Sequence, residues 1–341
     1  MLARRKVKIA AVHSKKAYTT GTLEEARKIK EENINKMCCF LEEAGKQGAD
    51  IVSTPECFEG ISMDNYKKNE LKYKNLIEEI PGSIFERIAA IAKKYNMNIV
   101  ANYHEKDSDE IYNTSILVDR KGKLVGRYRK VHLPPRERWI VIPGSEFTVL
   151  ESDVGNVGFA TCYDIMFPEH CRAMALNGAD IIFHQTEGWG TKTLIDIGEL
   201  LVRTRAAENY VYLVISKNIQ KVNERYAKSC VINNKGQILV EAGGEEEKVI
   251  VAEVEPDFDC TDKESYNTLF SGIEKVRARD LLERRPLLYK ILTNEEVPLK
   301  ERYKNVKLPE TIEEIKEIYD KWKKYEGDIR NNIPVNIRYH W

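Results

Sequence analysis

Short apolar runs alternate with stretches of helical periodicity along roughly the first 260 residues of the chain. The apolar runs have the length and composition of buried strands, and the clearest are VKIAAVHS (7–14), ADIVSTPE (49–56), NMNIVANYHEK (96–106) and ADIIFHQ (179–185). Two intervening stretches predict amphipathic helices. One follows a capping box of Thr22 and Glu25, and the other is PGSIFERIAAIAKKY (81–95).

The middle of the chain also predicts two hairpins. Residues 112–130 would turn at Lys121-Gly122, and residues 148–161 at Gly155-Asn156. Helices are predicted at 168–178 and through 201–210, and strands at 211–218, 229–242 and 248–255. Hairpins mixed with helical crossovers indicate a layered α/β protein with sheet inside and helices outside.

The composition changes from about residue 270, where the chain becomes charged and helical. Thr311 and Glu314 can cap a helix with one apolar face, formed by Ile312, Ile315, Tyr319 and Trp322. An isolated helix of this length is marginal in water, so it must dock to be ordered. We therefore expect residues 1–290 to form the main domain and residues 291–341 a C-terminal extension that acts as an oligomerisation arm.

The bulk composition excludes several classes of partner. The 341 residues carry 54 Lys+Arg and 54 Asp+Glu, which gives no electrostatic attraction to nucleic acid. No apolar run reaches membrane-spanning length, and the apolar part of MLARRKVKIAAVHS is too short for a signal peptide. We expect a cytoplasmic protein whose seven cysteines are mostly free thiols. The spacing of cysteines and histidines matches no metal motif, and no nucleotide-binding motif is present, so no metal or cofactor is expected.

Three polar residues stand where predicted strands end: Glu56 in STPE, Lys130 in YRKVHL and Cys162 in FATCYD. Strand ends gather at one edge of a layered α/β sheet, which is where sites form. A carboxylate can take the proton of a thiol, while a lysine stabilises first the thiolate and then an oxyanion. Taken singly, each has a simpler interpretation: a buried filler thiol, a turn carboxylate and a solvated lysine. His132 is an alternative base, although a structural role suits it better because the sequence fixes no partner for it.

Longer segments around these residues carry a family resemblance. STPE, YRKVHLPPRE and GFATCYDIMFPE resemble, in order and context, the Glu-Lys-Cys motifs of the carbon–nitrogen hydrolase (nitrilase) superfamily. Segments 203–218, 229–244 and 284–289 are similar to later parts of that family, so the resemblance covers roughly residues 6–290. It implies a four-layer α-β-β-α sandwich with a C-terminal helical extension, which agrees with the alternation of elements.

The resemblance also implies roles for individual residues. Glu56 would be the general base and Cys162 the nucleophile that forms a thioester. Lys130 and the backbone N–H of Tyr163 would form the oxyanion hole. Glu137, in PPRERW, occupies the place of a second family glutamate that orients the lysine and the substrate amine or water. The alternative for Glu137 is a surface carboxylate between Arg136 and Arg138.

Residues beside the nucleophile bear on the substrate. Tyr163-Asp164 resembles the amidase and carbamoylase branches more than the Trp-Glu of nitrilases, and Met166 stands where many family amidases have arginine. Glu187 and Trp189, in HQTEGWGT, are expected to line the pocket and to favour a neutral or cationic amide, although Arg203 could supply a counter-charge to an anionic one.

The sequence therefore predicts an amidohydrolase that cleaves a small linear amide and releases ammonia or an amine. Three alternatives stay open: an N-carbamoyl (ureido) hydrolase of the N-carbamoylputrescine or N-carbamoyl amino acid type, a nitrilase, and a non-catalytic binding member. A binding protein would have no need of Glu56, Lys130 and Cys162 together. We also expect a homodimer or a larger even-numbered oligomer, because Met174, Leu200 and Leu201 are apolar outer positions of predicted helices.

Overall fold

The computed structural model describes residues 6–62, 66–67, 70–71, 73–134, 137–187, 197–219, 228–302, 314 and 317. The chain divides into two compact units, Met1–Leu281 and Leu282–Trp341. The predicted helix capped by Thr311 lies outside the described residues, except for Glu314 and Glu317. The boundary expected at residues 290 and 291 and the role of residues 291–341 as an oligomerisation arm stay predictions.

The described elements alternate in the predicted manner, except that the strand predicted over 229–242 is a hairpin of two antiparallel strands. The helices are α1 (Leu23–Lys46), α2 (Ser83–Tyr95), α3 (Pro168–Leu176), α4 (Ile197–Asn209), α5 (Tyr266–Ser271), α6 (Val276–Leu282) and α7 (Pro298–Arg302). The strands are β1 (Val7–Ser14), β2 (Ile51–Ser53), β3 (Tyr66–Lys67), β4 (Glu70–Leu71), β5 (Asn98–Asp107), β6 (Glu110–Val118), β7 (Leu124–Arg129), β8 (Val157–Phe159), β9 (Ile181–Thr186), β10 (Tyr212–Asn218), β11 (Ser229–Ile232), β12 (Ile238–Ala242) and β13 (Lys248–Val254).

Eleven of these strands form a sheet with two wings. The first wing has the order β13-β1-β2-β5-β6-β7, and the second has the order β8-β9-β10-β11-β12. Among the described strands, the two wings are paired only where His13 and Ser14 at the end of β1 pair with Lys217 and Asn218 of β10. Because the join is confined to the strand ends, the two wings can fold over each other as facing layers.

The alternation along β1 shows how the layers stack. Ile9 and Ala11 pack in one apolar core with Phe159 and Phe183 of the second wing and with residues of α3 and α4. The residues between them, Ala10 and Val12, face a separate core built with α1 and α2. Successive residues of a strand point to opposite faces, so each wing is covered on both sides. The predicted α-β-β-α sandwich is confirmed.

Local signals account for several element boundaries. The predicted capping box starts α1: the Glu25 N–H donates to Thr22 Oγ1, and the Thr22 N–H donates to Glu25 Oε2. The turn between β6 and β7 places Gly122 at φ 77°, where a Cβ would lie 2.7 Å from Ala89 O. The capping box favours Thr22 and Glu25 at these positions, and the left-handed turn with its close backbone contact favours glycine at position 122.

The predicted hairpin at 148–161 is largely wrong. A single antiparallel pair, Leu150 with Val157, is all that remains of it within the described residues. Val157–Phe159 instead forms β8, which runs parallel to β9 inside the sandwich. Burial of Val157 and Phe159 between the layers stabilises the fold more than an exposed two-stranded ribbon would.

None of the described helices is both long enough and apolar enough to cross a membrane.

Candidate active site

Glu56 and Lys130 meet where two strands of the first wing end. Glu56 lies three residues beyond the end of β2, and Lys130 directly follows β7. Lys130 Nζ donates to Glu56 Oε1 at 2.8 Å, and both side chains are at most 5% exposed. A buried ammonium needs such a partner because its desolvation is otherwise very costly. The predicted convergence of these two strand ends is therefore present in the structure.

Glu137 joins the same group, together with Asn113 of β6, which the sequence analysis missed. Lys130 Nζ donates to Glu137 Oε2 at 2.6 Å. Asn113 Nδ2 donates both to Glu56 Oε1 at 2.9 Å and to Glu137 Oε1 at 2.8 Å. Each carboxylate is thus held by the same two donors. We call Glu56, Lys130, Glu137 and Asn113 the carboxylate cradle.

Cys162 lies on a sharp turn at the exit of the second wing. β8 ends at Phe159, and Cys162 opens a short 3₁₀ helix over Cys162–Met166, followed by α3 from Pro168. Its φ of 46° lies in the left-handed region, which costs energy for a residue with a Cβ. The first N–H groups of a helix have no acceptor within it, so the Tyr163 N–H can serve an external acceptor.

Opposing effects fix the charge states of the three groups. Burial favours neutral Glu56, but the Lys130 ammonium outweighs it and lowers the pKa of Glu56 below its ordinary 4.5. Burial also disfavours the Lys130 cation, yet Glu137 and Glu56 raise its pKa well above 10.5. Burial and then the Glu56 carboxylate raise the pKa of Cys162 above 9.0, against the pull of Lys130. The resting site therefore holds a neutral thiol beside an ionised base, an arrangement suited to proton transfer as attack occurs.

Asp164 ties the cysteine turn to the lysine segment. Its Oδ2 accepts from the Thr161 N–H at 2.9 Å and from Tyr128 Oη at 2.7 Å. Its Oδ1 accepts from the His132 N–H at 2.8 Å, and His132 Nδ1 lies 3.0 Å away. Tyr128 and His132 flank Lys130, and Thr161 precedes Cys162. The buried Asp164 carboxylate therefore fixes the positions of Lys130 and Cys162 relative to each other. His132 also stacks on Phe167, so it faces Asp164 and supports the structural role.

Glu187 lies beside the base, but its charge is already paired. Its backbone N–H donates to Glu56 Oε2 at 2.9 Å. Its carboxylate binds Lys16 Nζ and accepts from Tyr18 Oη at 3.0 Å. Lys16 is nearly fully buried and also donates to Glu56 O and Cys57 O, so it braces the turn that carries the base.

The remaining residues predicted to bind substrate give a mixed picture. Trp189 lies outside the described residues. The Tyr163 ring is half-buried and packs edge-on against Phe167. Arg203, which could supply a counter-charge, donates to Gly236 O at 2.9 Å on the neighbouring hairpin and pairs with Glu199 of its own helix.

Glu137→Gln is expected to lower kcat by about tenfold, a change of ~1.4 kcal/mol in the activation free energy. The glutamine can still accept a hydrogen bond, but Lys130 loses one of its two anionic partners. Steady-state ammonia release measures the effect, with the exposed Glu169→Gln as the matched control. A loss as large as that of a Glu56 or Lys130 variant would contradict the supporting role of Glu137.

The chain is similar in sequence and in fold to proteins that are already known. The family model for carbon-nitrogen hydrolases matches residues 25–258. The chain is 31% identical over 248 residues to omega-amidase NIT2 from Bos taurus, covering 67% of this chain and 84% of the relative. It is 32% identical over 229 residues to a nitrilase from Pyrococcus abyssi, covering 66% and 84%. The crystal structure of Saccharomyces cerevisiae Nit3, a member of branch 10 of the nitrilase superfamily, is similar with a TM-score of 0.62 and 30% identity, covering 74% of this chain and 92% of that one.

Proposed function

Because this chain belongs to the carbon–nitrogen hydrolase family, and is thus a hydrolase of carbon–nitrogen bonds other than peptide bonds, we propose that it cleaves a small linear amide through a thioester on Cys162. The observation that carries the proposal is the carboxylate cradle, in which Lys130 lies 2.8 Å from Glu56 and both charges act on the Cys162 thiol. An ionised base, a buried cation and a neutral nucleophile are the groups that acyl transfer needs.

In the acylation half of the reaction, Glu56 takes the proton of the Cys162 thiol as sulfur attacks the amide carbon. The carbonyl oxygen becomes an oxyanion, which Lys130 Nζ and the Tyr163 N–H stabilise. Glu56 then gives its proton to the departing nitrogen, and ammonia or an amine leaves. The products of this half are a thioester on Cys162 and an ionised Glu56.

In the deacylation half, Glu56 takes a proton from a water molecule that attacks the thioester carbon. The same oxyanion contacts stabilise the second tetrahedral intermediate. Collapse releases the carboxylic acid, and the proton on Glu56 returns to the Cys162 sulfur. Glu137, held by Asn113 and Lys130, keeps the ammonium in place through both halves.

The charges around the site favour a neutral amide. Lys130 is paired with Glu56 and Glu137, and Lys16 is paired with Glu187, so within the described part of the site neither cation is available to a substrate carboxylate. Because the Glu187 carboxylate is paired with Lys16, its charge gives no reason to expect a cationic substrate. The similarity to omega-amidase NIT2 supports an amide. A ureido compound is the alternative within the same chemistry, and the nitrilase relative makes a nitrile the second candidate.

A substrate panel tests the proposal. Linear aliphatic amides, their N-carbamoyl analogues and the matching nitriles are compared by ammonia release. We expect the amides to have the highest kcat/KM and Cys162→Ala to be inactive on every compound. Cys171→Ala, a buried thiol in α3, is the matched control and should retain activity. Activity on nitriles alone, or an active Cys162→Ala, would overturn the proposal.

The pKa directions predict the acid side of the pH profile. Glu56 must be ionised to act as a base, and its pKa is below 4.5 because Lys130 outweighs the effect of burial. Activity should therefore persist as pH falls to 4.5 and decline only through the lowered pKa of Glu56. The measurement is kcat/KM against pH, with circular dichroism to separate titration from acid unfolding. An acid limb near neutrality in folded protein would show that another group is the base.

We further propose that the protein is a homodimer or a larger even-numbered oligomer. Met174, one of the outer positions expected from the sequence, is instead fully buried, whereas Leu200 in α4 is 60% exposed and Leu176 at the end of α3 is 45% exposed. Leu287 and Leu292 of the C-terminal unit are also highly exposed. Apolar side chains at these exposures are typical of surfaces that another subunit covers.

Deletion of residues 300–341 is expected to shift the protein toward smaller species. The extension carries an apolar stripe that needs a docking surface, and we propose that a neighbouring subunit provides it. Light scattering measures the mass, and alkylation of Cys162 checks that the site survives. A truncated protein that keeps its full oligomeric mass would show that the extension does not hold subunits together.

A further inference from the structure

Two histidines converge on one carboxylate oxygen beneath the cysteine turn. His132 Nδ1 lies 3.0 Å from Asp164 Oδ1, and His170 Nδ1 lies 3.6 Å from the same oxygen. The two rings are 5.5 Å apart between centroids. Asp164 and His170 are fully buried, while the His132 side chain keeps 26% of its surface exposed. The three ligand atoms lie within 4.8 Å of one another.

The hydrogen bonds of His170 leave one nitrogen without a donor or an acceptor. Its Nε2 lies 2.8 Å from Phe159 O, and a carbonyl oxygen can only accept, so Nε2 carries the proton. The neutral ring then presents a bare lone pair at Nδ1 toward the Asp164 carboxylate. Within the described part of the chain, Nδ1 of His170 has no hydrogen-bond partner. Two buried acceptors that face each other are unfavourable unless a cation lies between them.

We propose that His132, Asp164 and His170 form a binding site for one divalent transition-metal ion such as Zn²⁺. Imidazole and carboxylate ligands bind such ions at about 2.0–2.2 Å, which places neighbouring ligand atoms about 3.0–3.5 Å apart. The separation of 3.0 Å lies within this range, and the separation of 3.6 Å lies just beyond it. The partly exposed His132 gives the ion a path from solvent.

The site would have a structural consequence for the neighbouring catalytic groups. His132 follows Lys130 by two residues, Asp164 follows Cys162 by two, and His170 belongs to α3. A bound ion would therefore fix the lysine segment, the nucleophile turn and α3 to one point. No linear motif reveals this set, because its ligands come from three separate segments.

A second buried cluster serves as an internal comparison. Cys57, Glu59 and His104 also lie within 4.8 Å of one another. His104, however, stands between the other two, with Nδ1 on Glu59 Oε1 and Nε2 3.5 Å from Cys57 Sγ. One ion cannot bind both partners from opposite sides of a ring, so this cluster does not converge on a point. His104 is therefore a matched buried histidine outside the proposed site.

Titration of the full-length, chelator-treated protein with Co²⁺ tests the proposal. We expect one Co²⁺ per chain, visible d–d absorption, and no sulfur-to-cobalt charge-transfer band, because the ligands are nitrogen and oxygen only. Zn²⁺ should raise the Tm of the same protein. His170→Gln and His132→Phe should each weaken binding by at least about tenfold. His132→Phe keeps a ring stacked on Phe167, so at least one variant is expected to fold.

His104→Gln is the control and should bind Co²⁺ like the wild type. Three results would overturn the proposal: no stoichiometric binding, binding unchanged in both folded variants, or a thiolate charge-transfer band that disappears in His104→Gln or Cys162→Ala. The last result would place the ion at a cysteine instead.

Discussion

Glu56→Gln is expected to lower kcat by about 10²–10⁴-fold, the usual contribution of a positioned general base. The structure gives the reason: burial and the Glu56 carboxylate raise the pKa of the Cys162 thiol, so the thiol needs a base at the moment of attack. Glutamine keeps the shape and can accept from Lys130, but it cannot take a proton. Ammonia release under saturating amide measures the loss.

The matched control for this variant is Glu59→Gln. Glu59 is another buried carboxylate on the same turn, but it pairs with His104 and lies outside the carboxylate cradle. We expect Glu59→Gln to retain activity within a factor of about ten. Near-normal turnover in folded Glu56→Gln would show that the base has been assigned to the wrong residue.

Lys130→Met is expected to reduce kcat by about 10²–10³-fold, the cost of losing one oxyanion donor. It should also destabilise the fold by about 3–5 kcal/mol, because Glu56 and Glu137 are left as buried carboxylates without their cation. Ammonia release measures the first effect and urea unfolding the second.

A double variant separates the two effects of Lys130. Lys130→Met/Glu137→Gln removes one of the uncompensated charges, so its free energy of unfolding should recover in part while its activity stays low. A folded Lys130 variant with near-wild-type kcat would contradict the proposed oxyanion role. Equal stability of the single variant and the wild type would contradict the importance of the ion pairs.

Local sequence patterns predict much of this fold because the layers have strong local signatures. Neighbouring residues alone determine three of its features: the capping box at Thr22, the left-handed turn at Gly122 and the β1 strand over 7–14. The 148–161 segment fails for the opposite reason. Its outcome depends on the pairing of β8 with β9, a contact more than 20 residues away along the chain, which local periodicity does not encode.

The same distinction applies to the site. Glu56, Lys130 and Cys162 stand at strand ends, where a topological rule predicts that side chains converge. Asn113 and Lys16 carry no such signal, because one is an ordinary strand position and the other a loop lysine. Their roles come from hydrogen bonds to Glu56 across 57 and 40 residues. Asp164 was visible only as part of a motif, and its contacts with Tyr128 and His132 required the folded chain.

The central claim, a thioester on Cys162, is tested most directly by mass spectrometry of enzyme quenched in acid during turnover of its best amide. We predict an added acyl mass on the tryptic peptide 139–172, which carries both Cys162 and Cys171. Fragment ions should place the acyl group on Cys162, and the adduct should be absent from Cys162→Ala. An acyl group on another cysteine, or continued turnover by Cys162→Ala, would contradict the account.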